Sequence, residues 1–261
     1  MWETFIVTPL TNVLLWIYQL VGGNFGLAII IFTILIRLIT HPLMAQQIKS
    51  SQGMQEMQKS KKWQDIQKKY KGDKEKLAQE QMALYKELGV SPFGACLPTL
   101  IQLPIIFGLY QSIMRALAAS PMQLLSLTRS LYSFFHISDL IPLNSHFLWM
   151  NLGQPEKLFL PFLPGVGIPL LAIVVAISSY FQQKLITPPS ATPGDQGAAM
   201  SKMMAVYMPL LMGYFAMTFA SGLAIYFIAG NLVGIAQYAM LGKLDWKNLL
   251  PGSKKAEVKP K

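Results

Sequence analysis

Cysteine is nearly missing from this chain of 261 residues: Cys96 stands alone. No disulfide can form within the chain, and the three histidines, His41, His136 and His146, lie too far apart to complete a Cys/His metal site. Charge is also scarce, at 13% of residues against about 25% in an ordinary soluble domain. So thin a polar coat could hardly cover a soluble particle of 29.1 kDa. Acidic residues are the scarcest charges, 12 against 22 basic ones, and none falls inside the five longest apolar stretches. An intramembrane aspartyl protease and a carboxylate proton relay are therefore unsupported. There is no HExxH pair, no Walker A loop and no GxSxG elbow around Ser221-Gly222. No internal repeat hints at a transporter. Neither catalysis nor a metal or cofactor is expected. The beginning, Met1-Trp2-Glu3-Thr4-Phe5, lacks the basic region of a secretory signal, the Arg- and Ser-rich character of a transit peptide and a lipobox-type cysteine. That pattern favours a bacterial plasma membrane.

What the chain has is apolar surface: 52% of residues are apolar and the mean hydropathy is +0.39. A membrane span needs about 20 mostly apolar residues. Five segments qualify, giving an all-α polytopic membrane protein with spans over 25–45, 93–115, 158–183, 203–220 and 221–242. The last two come from one uncharged run, Met203–Gly242, divided at Ser221-Gly222. Residues 1–24 read as a helix lying in the outer interface, with Thr4, Thr8, Thr11, Asn12 and Gln19 as its polar members. The alternative extends the first span back to Val13.

Lysine placement sets the orientation. Residues 46–92 hold ten lysines, 182–202 two, and 243–261 six. With five spans these segments share one side, which the positive-inside rule makes cytoplasmic. The N-terminus is then outside, residues 116–157 form an outer loop, and 184–202 and the basic tail 243–261 lie inside. The net charge of +10 thus has a membrane explanation, and no DNA partner is expected. Within 46–92, Met54, Met57, Trp63, Ile66 and Tyr70 recur at helical spacing, Lys71-Gly72-Asp73 breaks the pattern, and a second helix follows. The segment reads as a cytoplasmic helical hairpin, either a connector or a docking arm.

Arg37 is the conspicuous residue. It lies about 16 Å along the first span from Gly26, beyond the middle of a hydrocarbon layer about 30 Å thick. A central arginine costs at least about 2.5 kcal/mol. Either it snorkels to the cytoplasmic headgroups beside Thr40 and His41, or a wet cavity hydrates it and offers its charge to a guest, with Thr33 one turn earlier on the same face. Gln102, Gln111, Asn231 and Gln237 are further intramembrane polar groups, each open to reading as an interhelical bond or a cavity wall. The 15 methionines, six of them between Met200 and Met217, suit ordinary packing or a surface accepting varied apolar partners.

Two long motifs are familiar. Ser91-Pro92-Phe93-Gly94-Ala95-Cys96-Leu97-Pro98, continuing through Gln102-Leu103-Pro104 to Leu109-Tyr110, resembles the second conserved span of the YidC family of membrane protein insertases, relatives of the mitochondrial Oxa-type and thylakoid Albino-type proteins. Met203-Met204, Met208-Pro209, Phe219-Ala220-Ser221-Gly222-Leu223-Ala224-Ile225-Tyr226-Phe227 and Gly230-Asn231-Leu232 resemble its last two spans. The large extra domain of some Gram-negative members is absent. The resemblance implies a five-helix core with a hydrophilic groove open to cytoplasm and lipid. Arg37 matches the groove arginine, while Thr33, Gln102, Tyr226 and Phe227 match positions tied to the groove or to substrate; Asn231 joins them as a neighbouring polar group. It further implies nascent membrane proteins as clients, the lipid bilayer as medium, and the ribosome as a partner through tail and hairpin, with the Sec translocon and signal recognition particle pathway as further candidates. A passive membrane chaperone or assembly scaffold is the alternative function. Three positions depart from the pattern: Ala220 replaces the usual Pro, Gly230 the usual Ser, and Phe227 a frequent Trp or Tyr.

Overall fold

A computed structural model describes residues 1–46, 53, 56–57, 60–70, 72–89, 97–117, 121–133, 135, 143–159, 167–186 and 196–242. The tail 243–261, to which ribosome contact was assigned above, lies outside the described residues. The chain is mostly helical. A π-helical turn, Glu3–Val7, runs into α1, Thr8–Leu20, which ends at Gly22 and Gly23, both at positive φ (70° and 82°). Glycine alone takes that geometry in succession without a Cβ clash. Asn24 then caps α2, Phe25–Ile39, its side chain accepting from the Leu27 N–H at 3.0 Å.

The buried face of α1 holds Leu14, Leu15 and Ile17 but also two polar residues that an amphipathic reading would place in water. Thr11 and Asn12 are buried, while Val13, Trp16 and Leu20 are exposed. The polar side chains are turned inward because they have partners there. Thr11 donates to the Val7 carbonyl; Asn12 donates to the Ser130 carbonyl at 2.9 Å and accepts from the Tyr132 N–H at 2.9 Å. Exposed Val13, Trp16 and Leu20 beside buried, bonded polar residues suit an apolar surrounding.

Two short helices follow, α3 (Lys61–Lys69) and α4 (Lys74–Glu87), capped by Ser60 and Asp73. They share a small core of Met57, Trp63 and Leu84, with the Trp63 and Tyr85 rings 6.0 Å apart edge to face. α5, Leu97–Ala116, packs on α1 and on the turn before it. Gly108 permits the approach: a Cβ there would come within 2.7 Å of Ile6 and 2.9 Å of Leu10. Ser112 donates to the Val7 carbonyl, Trp2 to Gln111, and Arg115 pairs with Glu3 at 3.0 Å. Glu3 is open to solvent, so that pair contributes at most about 1 kcal/mol and the close packing at Gly108 dominates.

After α6, Pro121–Ser130, two small antiparallel ribbons appear: β1 (His146–Phe147) with β2 (Met150–Asn151), and β3 (Leu158–Phe159) with β4 (Gly167–Ile168). Here the expected span 158–183 needs correction. Its helix, α7, is Leu170–Ile186, because Leu158 and Phe159 are paired in a ribbon and Pro161, Pro164 and Pro169 lack the N–H a helix requires. α8, Gln196–Thr218, begins seven residues earlier than the expected 203, and α9 is Ser221–Met240. α7 packs tightly on α8, where a Cβ at Gly213 would sit 3.0 Å from Ala176. α9 lies between α7 and α2.

Outward faces are apolar throughout: Leu27, Ile31, Ile34 and Leu38 on α2, Ile173 and Ile177 on α7, Tyr207, Leu210 and Tyr214 on α8. Among the described residues α9 alone is long and apolar enough to cross a membrane by length and composition; Phe25–Ile39, Leu170–Leu185 and Ala205–Thr218 are shorter apolar helices. The start of α9 is closed by the ribbon region. Ser221 and Gly222 donate backbone N–H groups to the Gln154 and Leu152 carbonyls at 2.9 and 3.1 Å, and the Ser221 hydroxyl donates to Asn151 at 2.8 Å. These are the amides a helix start leaves open. The Phe147 ring covers Gly26 at the start of α2, in the space a Cβ would occupy. Gly26→Ala is therefore expected to destabilise by about 1–3 kcal/mol through overpacking. Adding Phe147→Ala should recover part of that loss, which thermal melts of the single and double variants in detergent would measure.

Candidate functional site

The site is built on the parallel contact between α2 and α9. A Cβ at Gly222 would sit 3.1 Å from Ile29, and one at Gly230 would sit 3.0 Å from Arg37. Eight residues separate each pair on its own helix, so the two helices run side by side in constant register. On α9, Tyr226, Gly230 and Gln237 fall on one stripe, spaced four and seven residues apart, and that stripe faces α2.

Arg37 lies over this stripe. Its Nη2, Nε and Cζ stand 3.0, 3.6 and 3.7 Å from where a Gly230 Cβ would be, so the guanidinium rests on bare glycine backbone. Gln237 donates from Nε2 to the Arg37 carbonyl at 2.9 Å. The Tyr226 phenol lies within electrostatic reach of the guanidinium. No ion pair among the described residues includes Arg37. Among the described residues, the buried side-chain nitrogen and oxygen atoms that lack a hydrogen-bond partner are Arg37 Nε and Gln237 Oε1. One is a donor and the other an acceptor, and both belong to this contact.

The other expected site residues are distributed differently. Thr33 is fully buried, and its hydroxyl donates back to the Ile29 carbonyl at 2.7 Å. Asn231 is turned toward α7, donating to the Ser178 and Ser179 hydroxyls at 3.0 and 2.8 Å, so it is an interhelical bond. Gln111 is likewise engaged, by Trp2. Tyr226 and Phe227 are both buried in the core, with ring centroids 5.8 Å apart. Gln102 is in α5, and its side chain lies outside the described residues. Gly230 was not read as Arg37's neighbour, and Gln237 was read only as an interhelical bond or a cavity wall, although their seven-residue spacing on one helix face was there to find.

Residues 16–247 match the family described as 60Kd inner membrane protein. The chain belongs to the YidC family of membrane protein insertases. It is 34% identical over 250 residues to the membrane protein insertase MisCA of Bacillus subtilis (strain 168), a match covering 94% of this chain and 81% of that protein. Its identity to membrane protein insertase YidC 1 of Halalkalibacterium halodurans is 35% over 240 residues, covering 90% and 77%. The YidC of Syntrophobacter fumaroxidans is 35% identical over 240 residues, but the match covers 37% of that longer protein. The crystal structure of an active YidC insertase with its first transmembrane domain resolved aligns with a TM-score of 0.53 and 26% identity over 92% of this chain. The chain spans 46% of the length of that solved chain.

Two departures from the YidC pattern acquire a structural setting. Ala220, at the α8–α9 turn, has φ −55° and ψ 139°, angles proline also adopts, so the turn keeps a proline-like path. Gly230, where YidC proteins usually carry serine, is the point the guanidinium touches. Asn231→Ala should loosen the α7–α9 contact by about 0.6–1.7 kcal/mol, the range for interhelical bonds in a bilayer. A lower melting temperature in detergent should accompany an equal loss of insertion for clients of every charge.

Proposed function

We propose that this protein inserts nascent membrane segments from the cytoplasm, with Arg37 attracting the short acidic tail that a client must bring to the outer side. The carrying observation is the position of the guanidinium against Gly230, the tenth of the twenty residues of α9. At 1.5 Å per residue that is about 15 Å from either end of the helix. An arginine snorkelling to the headgroups would reach toward Leu241 instead. A cation held at mid-height, with no carboxylate paired to it among the described residues, is unstable in hydrocarbon, which supports a wet groove. In such a groove the effective dielectric is below that of water, and attraction for an incoming carboxylate is correspondingly stronger.

The rest of the machine follows from the same physics. Five spans put the N-terminus outside and the C-terminus inside, with the α3–α4 hairpin in the cytoplasm. The apolar part of the client moves along the outward apolar faces of α2 and α8 into lipid, driven by about 25 cal/mol per Å² of apolar surface removed from water. No nucleotide is required. Thr33, Gln102, Tyr226 and Phe227 complete the groove or contact the client as the bundle opens. The tail 243–261, with six lysines against two acids, and the hairpin together bind the ribosome.

Two experiments test this reading. The full chain in liposomes should insert a reporter with an acidic outer tail; Arg37→Ala should lower that insertion about tenfold, equivalent to about 1.4 kcal/mol, and Arg37→Lys should retain most of it. A neutral-tailed reporter should change much less. Arg37→Ala with undiminished acidic-tail insertion would remove the electrostatic mechanism, and a complete lack of insertion by the unmodified chain would leave a passive chaperone. Truncation after Gly242 should lower ribosome recovery in neutral detergent, where lipid cannot substitute, and slow co-translational insertion while sparing clients released from the ribosome. Equal recovery would assign the tail to the membrane surface.

A further inference from the structure

Gly230 has no local reason to be glycine. It sits in the middle of α9 with ordinary helical geometry and is not among the positive-φ glycines, which are Gly22, Gly23, Gly89 and Gly242. Glycine weakens a helix interior relative to alanine. What the position uses is the missing side chain. Three atoms of the Arg37 guanidinium lie within 3.7 Å of the point a Cβ would fill.

The other end of the same residue is also held by α9, through the Gln237 bond to the Arg37 carbonyl. Arginine has a long, rotamer-rich side chain, and fixing it needs restraint at more than one point. At the end of α2, Thr40 adds only a long contact, 3.4 Å, to the same carbonyl, and the neighbouring side chains of α2 give the guanidinium no hold. Thr33 spends its hydroxyl on Ile29, while Ile34 and Leu38 face outward and are apolar. A guanidinium turned that way would meet hydrocarbon. The recess at Gly230 is the seat that keeps the charge inward and at mid-height.

We infer that Gly230 is a positioning residue, whose bare backbone seats the Arg37 guanidinium while Gln237 fixes the backbone beneath it, so that α9 sets the depth at which the positive charge meets a client's acidic tail. This rests on the reading that Arg37 attracts such tails. A branched or long apolar side chain at 230, such as valine or leucine, displaces the guanidinium from its seat, whereas the small hydroxymethyl of the usual serine can still bond it. Alanine is a milder case, because the nearest atom is the tip of a flexible side chain that can yield by a few tenths of an ångström.

Gly234, one turn further along, supplies the contrast. Its bare backbone seats the Gln182 amide of α7, not the charge. Enlarging it damages helix packing without moving Arg37.

The test uses the full chain in liposomes with two reporters identical except for an acidic or a neutral outer tail, read as the ratio of their insertion. A general folding defect lowers both reporters together and leaves the ratio alone. Gly230→Ala should keep the ratio within about twofold of the unmodified protein. Gly230→Val and Gly230→Leu should lower it at least fivefold, toward the value for Arg37→Ala. Gly234→Ala should lower both reporters alike. An unchanged ratio in Gly230→Val, beside a ratio abolished by Arg37→Ala, overturns the inference and leaves the role of Arg37 standing. A ratio that falls as far in Gly234→Ala as in Gly230→Val overturns it too, since the effect would then be packing. If Arg37→Ala itself leaves the ratio intact, the reading beneath fails and this one fails with it.

Discussion

A guanidinium resting on a glycine in the middle of an apolar helix is the constraint around which this bundle is arranged. An arginine inside a membrane bundle is tolerated only where its donors find partners or water. Here the parallel register of α2 and α9 brings Arg37 to Gly230 and its carbonyl to Gln237. A slide of either helix by one turn would exchange the glycine recess for Tyr226 or Gly234. Tyr226 is already packed in the core, and the surface of Gly234 is taken by Gln182. The register is thus fixed by the charge, and it is held independently at the Gly222–Ile29 contact.

That register is also secured from the end where the two helices begin. The Phe147 ring lies on Gly26, and the carbonyls of Leu152, Gln154 and Asn151 receive the N–H groups and hydroxyl at the start of α9. Glu156 adds a further tie, accepting from Trp149 Nε1 and from the Leu171 N–H at 3.1 Å each, so the start of α7 joins the same knot. The opposite half of the bundle is bound differently. α5 is attached to α1 and the turn before it through Gly108, Ser112, Gln111 and Arg115, and its packing on α9 is slighter. Insertion that needs room between α5 and α9 would move α1 and α5 together, because separating them would break three polar contacts and a close glycine packing.

Much of this was legible in the sequence, and the misses have physical causes. The division at Ser221-Gly222 could be read because 40 uncharged residues are too many for one helix, and α8 and α9 do meet there. Gly72 and Asp73 separate α3 from α4 because the glycine breaks the helix and the aspartate caps the next one. The start of α7 was misjudged because hydropathy counts Leu158 and Phe159 as apolar without asking whether the prolines that follow let them join a helix. The burial of Thr11 and Asn12 in α1 was missed because amphipathic reading assumes that polar residues seek water. Thr11 and Asn12 instead found backbone carbonyls and an amide within the protein. Asn231 was grouped with the charge for being a polar residue inside an apolar span. Its hydroxyl partners on α7 lie more than fifty residues away, and no periodicity within α9 points to them.

Polar groups inside this protein therefore divide into two kinds by one criterion, whether the fold satisfies them. Thr11, Asn12, Thr33, Ser112, Ser221 and Asn231 are buried and bonded, and each links or stiffens helices. Arg37 and Gln237 are bonded in part, and the free atoms they keep are a donor and an acceptor. Leaving buried polar atoms unpaired costs about 1–3 kcal/mol each in a folded protein. Evolution can remove such a cost by exchanging one residue, and a leucine at 237 would remove half of it here. A cost left in place beside the one cation of the bundle centre among the described residues fits the proposed function, in which the missing partner arrives with the client. Under the proposed function, water would hold the place in between and the client's polar tail, on its way across, would replace it.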